Sequence, residues 1–145
     1  MDKLDEIIFY ALDKAIKSYR QMAQKNINSQ HFDISIDQWL LLTSLQNNPD
    51  DTQQQIASDI FKDYASITRM IDILVRKEII ERNANPDDRR RSNLNISPKG
   101  LTILSEIKPL IQSNRSTALE GVTDAEIELV KKIMGKIAVN CMRKL

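Results

Sequence analysis

One short segment of this chain spaces its apolar residues differently from the rest, and that segment restricts the fold more than any other feature. The stretches IIERN (79–83) and SNLNI (92–96) are short, and in the second one apolar residues alternate with asparagines. Alternation at a period of two predicts a β-strand with one face in water. Residues 83–91 between the stretches are polar and contain an Asn-Pro-Asp-Asp turn sequence, so we expect an extended hairpin loop.

On both sides of this hairpin, apolar residues recur every three or four positions, which predicts amphipathic helices. A long first helix is expected over about residues 2–25, and the helix before the hairpin has Asp63 as its N-cap. Ser35, Thr52 and Thr123 are each followed three residues later by Gln or Glu, a capping box that predicts the start of a helix.

The helix after the hairpin is expected to start at Ser97-Pro98, where a hydroxyl caps the helix and proline takes its first position. Pro109 is expected to kink this helix. The predicted fold is mainly α, with six helices and a two-stranded hairpin, which must pack on helices because a lone hairpin is marginally stable. Three helices followed by such a hairpin match a winged helix-turn-helix unit.

The 145 residues suffice for one compact domain, in which we distinguish three parts. Residues 35–100 form the winged helix-turn-helix unit. Residues 1–34 hold the first helix and a loop, and residues 101–145 hold the last two helices. Because these terminal helices exceed what the winged unit needs for its own core, we expect them to form a dimer interface.

The composition excludes several classes of function. A single cysteine, Cys141, leaves no disulfide framework and no multi-cysteine metal site, and neither a metal nor a cofactor is expected. The chain contains no Walker loop, no G-x-G-x-x-G and no H-E-x-x-H, so an enzyme is not expected. Without a secretory leader or an apolar stretch of membrane-spanning length, the chain is expected in the cytoplasm.

Charge is distributed unevenly, although the formal net charge is only +1. Residues 35–61 contain acidic side chains but no lysine or arginine, whereas residues 89–91 are an unbroken run of arginines in the hairpin loop. Asp87 and Asp88 cannot neutralise all three guanidinium groups. An isolated arginine run is usually a solvated patch, but at the tip of a wing it favours contact with nucleic acid.

Three stretches resemble the MarR family of bacterial transcriptional regulators. They are TQQQIA (52–57), SITRMIDILVRKEIIER (66–82) and NPDDRRRSNLNISPKG (85–100). The family wing usually has Asp-x-Arg, then Leu-Thr and then Gly, and this chain has Asp-Arg-Arg, Ile-Ser and Gly at the same spacing. Two departures are Glu78, where a glycine commonly precedes the second strand, and Ser97-Pro98 in place of the usual threonine.

The resemblance implies a homodimer with interleaved terminal helices that binds pseudo-palindromic double-stranded DNA through two winged units. Most members of the family repress transcription, and many release DNA when they bind a small phenolic or otherwise aromatic effector. The alternative is a winged helix that serves as a protein-interaction module without specific DNA binding.

The helix before the hairpin is the candidate recognition helix. Opposite its apolar stripe it carries hydroxyls, a methyl group and one arginine. We expect Ser66, Thr68 and Arg69 to face the major groove, because hydroxyl and guanidinium groups bond base edges or phosphates. Ala65 can meet a thymine methyl, whereas Tyr64 is as consistent with the core as with DNA.

Two further segments are candidate DNA contacts. The start of the short helix offers backbone N–H groups that suit a phosphate. In the wing, family position implies that one arginine enters the minor groove, where a narrow A·T stretch has enhanced negative potential. The candidates in the short helix are Thr52, Gln53 and Gln54. In the wing, Arg90 is the arginine expected in the minor groove, and Arg89 and Arg91 are expected to contact phosphates. Asp88 is expected to pair with an arginine and hold the wing tip.

Three other residues are assigned from their positions. Trp39 is expected to face the core, and His31, in the loop after the first helix, is expected to be solvated or hydrogen-bonded. Both are also candidate effector-binding residues, because family ligands tend to lie between the winged unit and the dimer helices. Cys141 is expected to be a small buried hydrophobe rather than a redox sensor.

Overall fold

The computed structural model describes residues 3–84, 87 and 92–143. A short 3-10 turn at Leu4–Glu6 precedes four helices, a hairpin and two more helices. This order confirms the predicted fold class, a mainly helical chain with a two-stranded wing. The elements are α1 (Ile8–Ser29), α2 (Ile36–Asn47), α3 (Gln53–Asp59), α4 (Tyr64–Arg76), β1 (Ile80–Ala84), β2 (Ser92–Ile96), α5 (Pro98–Ala118) and α6 (Asp124–Cys141).

The first helix differs from its predicted bounds. α1 begins at Ile8 rather than at residue 2, because Leu4–Glu6 forms a separate turn, and it continues to Ser29. α5 contains Pro109 in its interior, and the kink expected there stays a prediction. None of the described helices is long and apolar enough to cross a membrane.

The apolar core belongs to the first of two units, which extends to Asn114; the second unit starts at Arg115. In the first unit, the inner sides of α2, α3 and α4 pack with the second half of α1, the base of the hairpin and α5 up to Ile111. The stripe predicted on α4 is fully buried at Ile67, Ile71 and Leu74. Burying each such side chain contributes about 1.5–3 kcal/mol, so α4 is fixed through its inner side.

Side-chain hydrogen bonds fix the starts of the helices at the predicted residues. Ser35, Thr52 and Thr123 each form a complete capping box. Asp63 accepts a hydrogen bond from the backbone N–H of Ser66 at the start of α4. Such caps contribute about 0.5–2 kcal/mol each, and they fix where the helix begins.

Three helices end with a non-glycine residue in the left-handed region of the backbone. His31 after α1, Phe61 after α3 and Glu78 after α4 have φ of 59°, 57° and 60°. In each turn the N–H of the following residue donates to the carbonyl five residues before it, the Schellman arrangement that usually contains glycine. Glu78 therefore adopts the backbone conformation that suits the glycine usual in the family.

Ser97 joins the base of the wing to the end of α4. Its N–H donates to the carbonyl oxygen of Ile79 over 3.0 Å. Its hydroxyl accepts from the N–H of Gly100 over 3.0 Å and lies within hydrogen-bond distance of the carbonyl oxygens of Glu78 and Ile79. Ser97 thus caps α5, as predicted, and also fixes the antiparallel pair β1–β2 against the preceding helix.

Two regions expose apolar side chains. The buried residues of α1 are Ala23 and Ile27, both in its second half, and α6 buries no residue. The prediction that Cys141 is buried is wrong for the single chain, because the stripe that carries it lies on the surface of α6. The exposed apolar residues are Leu4, Ile8, Phe9 and Ile16 in the first region, and Leu129, Val130, Ile133, Met134 and Val139 in the second.

Candidate nucleic-acid interface

Hydrogen bonds order the start of α4 and connect it to an exposed arginine. The carboxylate of Asp63 accepts from the backbone N–H and from the hydroxyl of Ser66, both over 2.8 Å. Arg69 Nη2 donates to the Ser66 hydroxyl oxygen over 3.1 Å. The backbone and side-chain hydrogen bonds from Ser66, together with the charge of Arg69, hold the pKa of Asp63 below its ordinary value. The carboxylate is therefore ionised at neutral pH and keeps Ser66 and Arg69 together.

The guanidinium group of Arg69 has N–H donors left to bond a partner outside the protein. A guanidinium group carries five N–H donors, and Ser66 accepts one of them. The residue is exposed on the outer side of α4. A planar group held in this way can form a bidentate bond with the guanine edge or a bond with a phosphate.

Thr68 is engaged within the protein more than the sequence predicted. Its hydroxyl donates to the carbonyl oxygen of Tyr64 over 3.0 Å and accepts from the side-chain amide of Gln53 over 2.5 Å. The bond from Gln53 connects α3 to α4. It joins two residues that were each predicted to contact DNA. Because its only hydrogen is already donated, Thr68 could act on DNA solely as an acceptor or through its methyl group.

The other predicted contacts on these helices are accessible. Tyr64 is 58% exposed, so of the two alternatives left by the sequence the structure excludes the core for this side chain. Ala65 and Gln54 are exposed as well, and Thr52 and Gln53 are partly so. The Thr52 hydroxyl accepts from the backbone N–H of Gln55, which leaves the first two N–H groups of α3 without an acceptor inside the helix.

An ion pair between α4 and β1 was not predicted. Arg82 Nη2 lies 3.0 Å from Asp72 Oδ1. Neither residue was assigned a role from the sequence. The alternation of side chains in β1 could have indicated this contact. Arg82 lies two residues after the buried Ile80 and is therefore on the same face of the strand. The pair fixes the wing to the candidate recognition helix.

A second unpredicted cluster connects three elements at Asp37, in the first turn of α2. Its carboxylate bonds Arg20 of α1, and the other oxygen lies 3.3 Å from Lys62 Nζ in the turn before α4. Partial burial raises the pKa of Asp37, but the hydrogen bond and charge of Arg20, with the charge of Lys62, outweigh it and hold the pKa below its ordinary value. These residues lie too far apart in sequence for a local pattern to reveal the cluster.

The arginines of the wing tip and Asp88 lie outside the described residues. Arg89, Arg90 and Arg91 were predicted to contact DNA and Asp88 to hold the wing tip, and these stay predictions. The strands that support the tip are described as far as Ala84 on one side and from Ser92 on the other.

The candidate effector residues occupy different environments. His31 is exposed at the end of α1, and Trp39 is partly buried against the core. A shallow polar depression lined by residues of α3 and the preceding loop contains neither of them. Among the described residues, no cluster of three or more His, Cys, Asp or Glu side chains could hold a metal ion.

Comparisons with known protein sequences find relatives of this chain among transcriptional regulators. The MarR family model matches residues 34–92, which span α2 to the start of β2. The HTH-type transcriptional regulator MhqR of Bacillus subtilis (strain 168) is 26% identical over 133 residues, which cover 92% of this chain and 90% of that protein.

Solved structures share the fold. The structure of BpsR from Bordetella bronchiseptica, which concerns regulation of DNA binding by 6-hydroxynicotinic acid, has a TM-score of 0.84 at 17% identity and covers 95% of this chain and 97% of its own. A mutant of MarR from E. coli complexed with operator DNA has a TM-score of 0.83 at 22% identity, covering 94% and 99%. At these identities the similarity shows the common architecture.

Proposed function

We propose that this chain, a DNA-binding transcriptional regulator of the MarR family, is a homodimeric repressor of a pseudo-palindromic operator. The named relative MhqR is likewise a transcriptional regulator. The observation that carries the proposal is the linked group Asp63, Ser66 and Arg69 at the exposed start of α4. In a helix-turn-helix protein this end of the recognition helix contacts base edges.

In the proposed complex, Arg69 and Ser66 contact base edges in the major groove, and Ala65 and Tyr64 contact the groove from the same end of α4. Thr68 acts mainly by holding Gln53 and thereby fixing α3 against α4. Thr52 and Gln54 contact a phosphate. Base contacts of this kind specify sequence, whereas phosphate contacts set the register and orientation of the protein.

The wing is proposed to supply the second contact with each half-site. Arg90 enters the minor groove, Arg89 and Arg91 meet phosphates, and Asp88 shapes the tip. The support comes from the run of arginines in the sequence and from the Asp72–Arg82 pair, which fixes the base of the wing beside α4. A narrow A·T minor groove attracts such guanidinium groups.

The homodimer is proposed to form through residues 1–34 and 101–145. The support is the exposed apolar surface on the first half of α1 and along α6, since large apolar surfaces of this kind usually mark an interface. In the dimer the two copies of α4 lie about 34 Å apart, one turn of DNA. The DNA binding of BpsR is regulated by 6-hydroxynicotinic acid. By analogy, a small aromatic effector is proposed to release DNA here, with His31 and Trp39 as the effector contacts.

Selection of bound duplexes from a random DNA pool tests this function. A consensus with two-fold symmetry supports the regulator, and a dimer in size-exclusion chromatography with light scattering supports the assembly. Failure to enrich any sequence, with a folded dimer, would contradict the proposal and favour the protein-interaction module.

A further inference from the structure

The turn between α3 and α4 exposes Phe61 to an extent that the fold does not explain. Its side chain is 90% exposed, more than any other large apolar side chain among the described residues. Its backbone lies in the left-handed region, with φ of 57°, which is unfavourable for a bulky L-residue. Because this conformation costs stability and the ring gains no burial, a role outside the fold is indicated.

The order of apolar and polar residues in this turn is the reverse of that in the other two left-handed turns. After α1 and α4, the residue that follows the left-handed position is apolar, Phe32 or Ile79, and it is partly or fully buried. After α3, the apolar Phe61 takes the left-handed position and Lys62 follows it. Lys62 pairs with Asp37 over 3.3 Å, so the charged residue is held by the protein while the aromatic ring projects into solvent.

Backbone hydrogen bonds order the turn that carries this ring at the head of the candidate recognition helix. The N–H of Phe61 donates to the carbonyl of Ser58 over 3.3 Å, and the N–H of Lys62 donates to that of Ala57 over 2.9 Å. Phe61 precedes Asp63, the N-cap of α4, by two residues, and the exposed Tyr64 by three. An aromatic side chain on an ordered backbone is well suited to recognition, because the backbone loses little conformational freedom when the ring binds.

We propose that Phe61 is a specificity-determining residue that packs against a thymine 5-methyl group at the edge of the major groove, an inference that rests on the proposed function. The phenyl ring has no hydrogen-bond donor or acceptor. The apolar group that a base edge presents in the major groove is the thymine methyl. The contact therefore selects thymine at one position in each half-site, beside the positions that Ser66 and Arg69 contact.

Replacing thymine with deoxyuridine in the selected operator removes this methyl group and leaves every hydrogen-bonding group of the base in place. We expect the wild-type protein to bind about fourfold more weakly when one particular thymine in each half-site is replaced, the effect of about 0.8 kcal/mol for a buried methyl-sized group. Fluorescence anisotropy on duplexes with single replacements measures this loss. The measurement needs no protein variant, so it does not depend on the folding of a mutant.

Phe61→Gly removes the ring and suits the left-handed backbone. We expect this variant to melt at a higher temperature than wild type, to bind the unmodified operator about tenfold more weakly, and to be indifferent to deoxyuridine at the sensitive position. Opposite changes in stability and affinity separate a lost contact from a damaged fold. Glu78→Gly, the same substitution at the matching turn after α4, is the control and is expected to melt higher without losing affinity.

The two hypotheses fail in different ways. Absence of sequence-selective binding by the wild-type protein overturns the proposed function itself. If the wild type selects an operator but is indifferent to every deoxyuridine, or if Phe61→Gly keeps the wild-type sensitivity at each position, the regulator stands and the thymine contact of Phe61 is refuted.

Discussion

Replacing Gly100 with alanine is expected to destabilise the protein by about 1–3 kcal/mol, because the added methyl group has no space at the base of the wing. A Cβ at this position would lie 2.5 Å from the carbonyl oxygen of Ile79 and 2.7 Å from Ile96 Cγ2. Non-bonded carbon atoms normally approach to about 3.5–4.0 Å. The backbone of Ile79 or the first turn of α5 must therefore move by roughly 1 Å.

This movement affects the hydrogen bonds that Ser97 makes at the same point. The Ile79 carbonyl oxygen accepts from the Ser97 N–H and lies 3.0 Å from its hydroxyl, and each lost bond costs about 0.5–1.5 kcal/mol. Alanine in place of glycine also raises the free energy of unfolding by about 0.5–1 kcal/mol, because it restricts the unfolded chain and favours a helix. The clash and the weakened bonds exceed that gain, so the net effect is destabilising.

Urea unfolding followed by circular dichroism, at equal protein concentrations, measures the free energy of unfolding. Gly135→Ala, also inside a helix, is the matched control, because a Cβ there has no neighbour of its own chain within 4 Å. The control should gain about 0.5–1 kcal/mol. If Gly100→Ala is as stable as wild type, the close packing between the wing base and α5 is refuted.

Three other predictions test the interface and its supports. Arg90→Ala is expected to weaken operator binding by about tenfold or more with an unchanged melting temperature; unchanged affinity would remove the wing from the mechanism. Because the folded-state pKa of Asp37 is lowered, the stabilisation by its carboxylate is present above the unfolded pKa of about 3.9 and is lost as the pH falls through the folded pKa. Asp37→Asn should therefore cost about 0.5–1 kcal/mol at pH 7 and progressively less below pH 4, and a difference independent of pH would contradict the ion pairs. In a double-mutant cycle, Asp72→Ala and Arg82→Ala should couple in operator affinity, whereas additive losses would show that their pair does not position the wing.

Local sequence signals predicted the parts of the fold that depend on neighbouring residues. The capping boxes at Ser35, Thr52 and Thr123 form because both partners lie within one turn of helix. The buried stripe of α4 and the alternation in β2 likewise depend on periods of a few residues. These signals sufficed for the order of elements and for placing Ser66 and Arg69 on one exposed surface.

Features that depend on distant residues were missed or misjudged. The Asp37 cluster and the Asp72–Arg82 pair join separate elements, so no local period reveals the partners. The engagement of Thr68 by Gln53 also depends on how α3 packs on α4. Cys141 was predicted to be buried because it continues an apolar stripe, but periodicity does not tell whether a stripe faces the core of its own chain or a surface.

The central claim is that the exposed start of α4 identifies bases in the operator, and substitution of Arg69 tests it most directly. Affinities of wild type and Arg69→Ala for operators with every single base change show which positions the side chain specifies. We expect the variant to lose its preference at one position in each half-site and to keep the others. A uniform loss of affinity for all sequences, with every base preference retained, would show that Arg69 contacts a phosphate and not a base.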